Sequence, residues 1–329
     1  MHPLEILSWA LNEKSSILDQ SEASPHFDES SAGYIHSATS ENTRKAYQSD
    51  IDHFLKWGGV LPTSPSQLIY YFTEQAPLKN PRTLKRRLIA IRKWHTFLQI
   101  KDDPTKDPSV LKILKGIERT HGIPKVQAAA MTLKDIDQII SYLNTQENNL
   151  LALRDKALLL VGYFGALRRS ELVGLTWEQV RFEDKGIIIE VKRSKTDQIG
   201  QGESCIIPSG SKSRCPSQAL LQWRYESNHY HGFIFSRFSG KGNLLKLGIT
   251  GYHCNQIIKR LAKSASCDRA EDMSAHSLRR DFATESARLG ASLLAIQKHG
   301  RWRCTRTVLE YIEAGRVFTD SAVNVLFGE

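Results

Sequence analysis

Residues 301–315 read RWRCTRTVLEYIEAG and hold the last tyrosine of the chain, Tyr311. It follows Trp302 by nine residues, in a stretch dense with arginine and threonine. Taken alone, Tyr311 reads as one more aromatic on the buried side of a helix. Its other reading is a hydroxyl placed to react. The groups that the rest of the chain supplies around it decide between the two.

The chain's 45 Lys and Arg against 35 Asp and Glu leave a net charge of +10. That balance favours a polyanionic partner, because clustered cations neutralise phosphates and release their counterions. A basic but unspecialised surface is the plainer alternative. At 329 residues and 40% hydrophobic content, the chain has room for two domains with cores of their own. Its five cysteines (Cys205, Cys215, Cys254, Cys267, Cys304) form no CxxC pair and suit reduced thiols better than a disulfide framework. There is no long apolar run for a membrane span, and the opening MHPLEILSWALNEKSS lacks the basic start and cleavage site of a secretory signal. A soluble, cytoplasmic protein is expected.

Working back from Tyr311, the chain divides in two. Residues 1–35 read as a flexible extension with one short amphipathic helix at its start, since 12–33 is rich in Ser, Glu and Asp. Helical order begins near Ser40, an N-cap, with Tyr47, Ile51, Phe54 and Leu55 at helical spacing and Gly58-Gly59 as the stop. The stretch NPRTLKRRLIAIRKWHTFLQI (80–100) sets Leu84, Leu88, Ile91, His95 and Leu98 on one stripe. Arg82, Arg86 and Lys93 project from the opposite side, flanked by Lys85 and Arg92, with no acidic residue between Lys79 and Lys93. One-signed charge opposite a core stripe suggests a helix lying on or in a DNA groove. A helix over 108–120 precedes a linker at 121–130, marked by Gly122, Pro124 and small residues. An all-helical domain over 36–120 and a larger domain over 131–329 follow from this. In the latter, residues 154–175 read as one buried helix, 186–208 as paired strands joined by a polar turn, and helices run on to the end. The expected class is mainly α with a small antiparallel β-sheet.

Three stretches of the second domain carry chemistry-bearing groups. In GALRRSELVGL (165–175), Arg168 and Arg169 lie in the apolar helix; neighbours on a helix point about 100° apart, so one of them at most faces a common site. In VKRSKTDQIGQG (191–202), Lys192, Arg193 and Lys195 reach a hairpin turn that by itself reads as a solvated basic loop. In SAHSLRRDFATESARLG (274–290), His276 and Arg279 stand three apart near a helix N-terminus, where backbone N–H groups favour an anion. A lone histidine there is more often structural.

The order Arg-Glu, Lys, His-x-x-Arg, Trp, Tyr carries more weight than any single piece. ALRRSEL, SKT, HSLRRDFAT, GRW and EYI, in this order and at these spacings, resemble the tyrosine recombinase family that includes Cre and the phage integrases. The likeness spans the second domain and extends more weakly to the first. It implies Arg168 and Arg279 as the phosphate-binding arginines, Glu171 as a supporting acid, Lys195 as the hairpin lysine, His276 beside Arg279, Trp302, and Tyr311 as nucleophile. It also implies a two-domain C-clamp on double-stranded DNA with a specific target site. Strand transfer would run through a covalent 3′-phosphotyrosine without metal, ATP or other cofactor. A tetramer would assemble on two sites, with the apolar tail residues Val317, Phe318, Val323, Leu326 and Phe327 docking into a neighbouring subunit. GRW stands where Gly-His or Gly-Trp is commoner, and LRRDFAT where Leu-Arg-His is frequent. The other classes that fit are a non-catalytic DNA-binding accessory protein, a topoisomerase-like nicking and resealing enzyme, and an enzyme resolving hairpin telomeres.

Overall fold

The structure is a computed structural model, and it describes residues 39–97, 100–123, 131–146, 149–191, 202–275, 277–315 and 326. Lys192, Arg193, Lys195 and His276 lie outside the described residues, as do Leu98, the extension over 1–35, linker residues 124–130, and tail residues Val317, Phe318, Val323 and Phe327. The chain forms two compact units, Met1–Val126 and Gln127–Glu329. No described helix is long and apolar enough to cross a membrane. The five cysteines are free, with Cys304 exposed and the other four buried.

The first unit is built from helices α1 (Glu41–Lys56), α2 (Pro65–Gln75), α3 (Pro81–Phe97) and α4 (Pro108–His121). The Ser40 hydroxyl accepts from the Thr43 amide to cap α1. Ile51, Phe54, Leu68, Tyr71, Phe72, Leu84, Leu88, Ile91, Val110, Leu114 and Ile117 form the core. His95, on the stripe of α3, is fully buried. Its Nδ1 bonds the Ile91 carbonyl at 2.8 Å while Nε2 meets the Thr63 amide at 3.2 Å, an arrangement that suits a neutral ring. Helix α2 has no counterpart in the sequence reading, because LIYYF is a continuous apolar run without helical period. Its signal is the Ser64-Pro65 pair, an N-cap followed by proline in the first turn.

The basic face of α3 differs from the sequence reading. Arg86 pairs bidentately with buried Asp50 on α1, at 2.7 and 2.9 Å. Lys85 reaches Glu118 on α4 at 2.6 Å, and Arg92 donates to the hydroxyl and carbonyl of Thr105, each at 2.9 Å. The acidic partners missing within α3 come from neighbouring helices, so three of the five basic residues serve the unit's own packing. Arg82 and Lys93 stay exposed. Buried Arg87 also lies 3.7 Å from Asp50, so Asp50→Ala removes the carboxylate from two guanidinium groups. It should cost this unit about 3 kcal/mol, the range for breaking a buried ion pair from one side, measured as its urea unfolding transition.

In the second unit, α5 (Leu133–Asn144) opens with a capping box between Thr132 and Asp135. Helix α6 (Leu150–Phe164) is apolar around most of its circumference and runs through the core, packing against α5, α8 (Pro216–Glu226) and α10 (Ser277–Arg288). The expected single helix over 154–175 is instead two. Gly165 ends α6, Ala166 takes φ +44°, and α7 (Arg169–Val173) starts afresh. A Cβ at Gly165 would sit 2.7 Å from the Val161 carbonyl oxygen, so this exit from the helix requires glycine.

Strands β1 (Val180–Glu183), β2 (Gly186–Val191) and β3 (Glu203–Pro208) form an antiparallel sheet in that order, with Ile187 opposite Ile207 and Ile189 opposite Cys205. The sequence reading found β2 and β3 and missed β1, whose four residues are too few to show alternation. A second hairpin pairs β4 (Ser236–Phe238) with β5 (Leu244–Gly248). Helices α9 (Gly251–Ser264), α10, α11 (Leu293–Gly300) and α12 (Thr305–Gly315) complete the unit. Ala283, Ala287, Ile296, Val308 and Ile312 form a small core that locks α10, α11 and α12 together, with Trp302 and Tyr311 on its margin.

Buried Asp281 on α10 accepts from the Met131 amide at 2.7 Å and pairs with Arg280 at 2.7 Å, fastening the start of this unit to the helix that carries Arg279. Burial pushes its carboxyl up to about 7, against the opposing pull of Arg280 and the Met131 amide. A folded value above the unfolded one means that this group's contribution to stability is complete below about pH 4 and is lost as the pH rises through about 7. Asp281→Asn removes that titration. The melting temperature of the variant minus that of the parent should therefore rise between pH 5 and 7.5, by about 5 °C; a flat difference contradicts it.

Candidate active site

The break after α6 builds the first wall of the site. Arg168 is the N-cap of α7 rather than part of a long helix, so the sequence reading of its place is corrected. Its backbone N–H donates to Glu171 Oε2 at 2.9 Å and its Nη1 to Oε1 at 2.6 Å. Glu171 thus caps the helix and grips the guanidinium with one carboxylate, and its side chain is 3% exposed. Burial raises the Glu171 carboxyl, but the bonds from Arg168 and the charge of Arg301 outweigh it and hold the group below the usual range. It is ionised at neutral pH.

Arg279 comes from the first turns of α10 and is buried. Its Nη1 donates to the Ala166 carbonyl at 2.6 Å, a carbonyl turned outward by the left-handed backbone at that residue. Its guanidinium carbon lies 4.2 Å from the centre of the Trp302 ring, a stacked cation–π contact. Its Nη2 is buried and has no hydrogen-bond partner among the described residues. An unsatisfied charged donor in a site is costly unless an acceptor is meant to reach it. Burial, followed by the charge of Arg168, pushes the Arg279 guanidinium down to about 10, so it still carries its proton at neutral pH.

The Trp302 ring meets the Tyr311 ring edge to face, 5.9 Å between centres. Helix α12, which carries Tyr311, packs along α10, which carries Arg279. Arg279 and Arg280 favour the Tyr311 phenolate, yet burial is the larger effect and the phenol sits above its ordinary value. That pull is present but loses to desolvation, so in the free protein the phenol holds its proton and needs an acceptor.

Arg168, Glu171, Arg279, Trp302 and Tyr311 therefore gather in one place from α7, α10, the turn after α11, and α12. Arg82, Lys85, Arg86, Arg92 and Lys93 belong to the other unit. Two features escaped sequence reasoning. One is the Ala166 carbonyl, invisible because alanine is an ordinary helix former. The other is Arg301, whose side chain is 4% exposed and reaches Glu171 at 3.4 Å. The signal for it was the arginine inserted in GRW where the family pattern has Gly-His or Gly-Trp.

A family model described as the phage integrase family matches residues 129–316, more than half of the chain. The chain belongs to the phage integrase family of tyrosine recombinases. A second model, the phage integrase N-terminal SAM-like domain, matches residues 34–101 of this recombinase. It is 31% identical over 303 residues to an integrase/recombinase xerD homolog of Selenomonas ruminantium, covering 90% of this chain and 88% of that one. It is 26% identical over 273 residues to tyrosine recombinase XerD of Listeria monocytogenes, covering 79% and 83%. Among solved structures the recombinase fold resembles XerH site-specific recombinase bound to difH substrate, with a TM-score of 0.61 at 16% identity over 86% of this chain and 80% of that one. It also resembles a lambda integrase dimer bound to a core site, with a TM-score of 0.58 at 14% identity over 95% and 97%. At these identities the structural likeness speaks for the fold.

Proposed function

We propose that this chain is a site-specific DNA recombinase that cuts and rejoins strands with Tyr311 as its nucleophile. The observation that carries the reading is Arg279: a buried guanidinium stacked on Trp302 beside Tyr311, with one N–H pair lacking an acceptor among the described residues. A scissile phosphate is the acceptor that fits. Its nonbridging oxygens gain charge as the transition state forms, and Arg279 with Arg168 supplies planar, bidentate donors for them. Trp302 holds the Arg279 plane and offers an indole N–H that can donate but never accept a proton.

The Tyr311 oxygen attacks phosphorus, the phenolic proton leaves to an acceptor, and the bond from phosphorus to the 5′-oxygen breaks; His276 is the candidate either for that acceptor or for orienting the phosphate. Lys195 gives that 5′-oxygen its proton. A 3′-phosphotyrosine bond replaces the phosphodiester and preserves its energy, so a 5′-hydroxyl from another strand can reverse the step without ATP. Within the helical unit, Arg82 and Lys93 are exposed and supply phosphate contacts. Lys85, Arg86 and Arg92 act there only by exchanging their internal partners for DNA. We assign residues 36–120 to DNA binding and 131–329 to catalysis, joined by 121–130. The reading further includes a tetramer on two sites, docked through 317–329, acting on DNA in the cytoplasm.

The test uses two plasmids, each carrying one copy of the DNA that flanks the gene. Joint molecules or exchanged flanking markers are expected. Relaxation of supercoils on plasmids lacking that DNA, with no exchange, would instead make the enzyme a topoisomerase-like nicking and resealing protein.

A further inference from the structure

The geometry points to Arg301 as a positioning residue for strand transfer: it braces Glu171 and the Gly165–Ala166 turn so that Arg168 and Arg279 converge on one phosphate. The inference rests on the reading of this site as the place of strand cleavage. Three observations carry it, and the first is backbone. Arg301 closes α11 in the left-handed conformation, φ +56°, where glycine is the unstrained residue and long side chains are uncommon. The chain keeps an arginine at a position whose fold requirement glycine would meet.

The second is where that side chain goes. It is buried, not extended into solvent. Nη1 donates to the His299 carbonyl at 3.1 Å, and Nη1 and Nη2 share the Gly165 carbonyl at 3.4 Å. Nη2 also reaches Glu171 Oε2 at 3.4 Å. The carboxylate gripped by Arg168 is therefore held from its other side by Arg301. The carbonyl one residue before Ala166, the acceptor of Arg279, is held by the same fork. One side chain thus ties down both supports of the phosphate-facing arginines.

The third is electrostatic. Arg301 places a further positive charge beside Arg279, disfavouring the charge already there. A group present only to close a helix would not need a buried cation next to two others. A group meant to hold an anion site in readiness would, because the phosphate removes the repulsion when it arrives.

Two variants separate positioning from folding. Arg301→Gly relieves the left-handed strain and removes the fork, and Arg301→Lys keeps the charge but cannot bridge Glu171 and two carbonyls at once. With the enzyme saturated by a nicked duplex of its flanking DNA, single-turnover adduct formation should slow by about 10- to 100-fold in Arg301→Gly, the scale for small misplacement of catalytic groups. Arg301→Lys should recover part of that loss, with DNA affinity close to the parent's in both and each rate read below that variant's own melting transition. Because Arg301 acts in part through Glu171, the loss in the double variant with Glu171→Gln should fall short of the product of the two single losses. The inference is overturned if both variants cleave at the parent rate, if the losses multiply in the double variant, or if cleavage falls only with the melted fraction. A parent that forms no adduct sinks the proposed function instead.

Discussion

Tyr311→Phe should bind its DNA site with the parent's affinity and form no covalent adduct. The substitution removes one oxygen and keeps the ring, so the edge-to-face contact with Trp302 and the margin of the small core around Ala283, Ile296 and Val308 persist. The fold therefore has little reason to change. The other hydroxyls on α12, those of Thr305 and Thr307, start six and four residues before Tyr311 on shorter side chains, so neither takes the place of the lost phenol. Cleavage should fall by at least about 10⁴-fold, as for other enzymes stripped of a nucleophile. The measurement pairs a gel-shift titration with denaturing electrophoresis of the trapped adduct. Loss of binding by a folded Tyr311→Phe protein would assign the tyrosine to the DNA interface or the core.

Arg279→Ala should leave the nucleophile in place and still lose most of the rate. Its guanidinium does three things at once: it bonds the Ala166 carbonyl, covers the Trp302 ring, and holds a buried N–H pair that has no acceptor among the described residues. Removing a single charge-stabilising donor from a transition state costs about 10²–10³-fold, and a whole arginine on a phosphoryl group about 10³–10⁵-fold. We expect the upper range for Arg279→Ala. Arg279→Lys should do little better, because a point charge cannot bond the carbonyl and two phosphate oxygens in one plane. The readout is the single-turnover cleavage rate with DNA saturating. A loss confined to DNA affinity, with the saturated rate intact, would show that Arg279 binds the ground state and the transition state equally.

Much of the site was legible because its chemistry restricts residue type more than local structure does. A phosphate needs arginine, a nucleophile needs a hydroxyl, and the order of Arg168, Glu171, Arg279, Trp302 and Tyr311 survives in the chain whatever loops lie between them. Helix caps were legible for a similar reason: Ser40 and Thr132 satisfy amides within three residues of themselves. Features that depend on distant partners were not. Ala166, Leu167 and Arg168 are good helix formers, and tertiary packing overrides their propensity to turn the backbone at Ala166. The basic face of α3 looked unpaired because Asp50 lies 36 residues before Arg86, and Glu118 lies 33 residues after Lys85. The protonation of Tyr311 was not legible either, because burial cannot be weighed against charge until both are located.

The central claim is that the residue-311 oxygen takes over the 3′ linkage of one phosphate. Its most direct test is to digest the adduct trapped on a nicked duplex with protease and nuclease and to sequence the modified peptide by mass spectrometry. The account predicts a nucleotide attached through its 3′-phosphate to Tyr311. A nucleotide on any other side chain, or one joined through a 5′-phosphate, would contradict it.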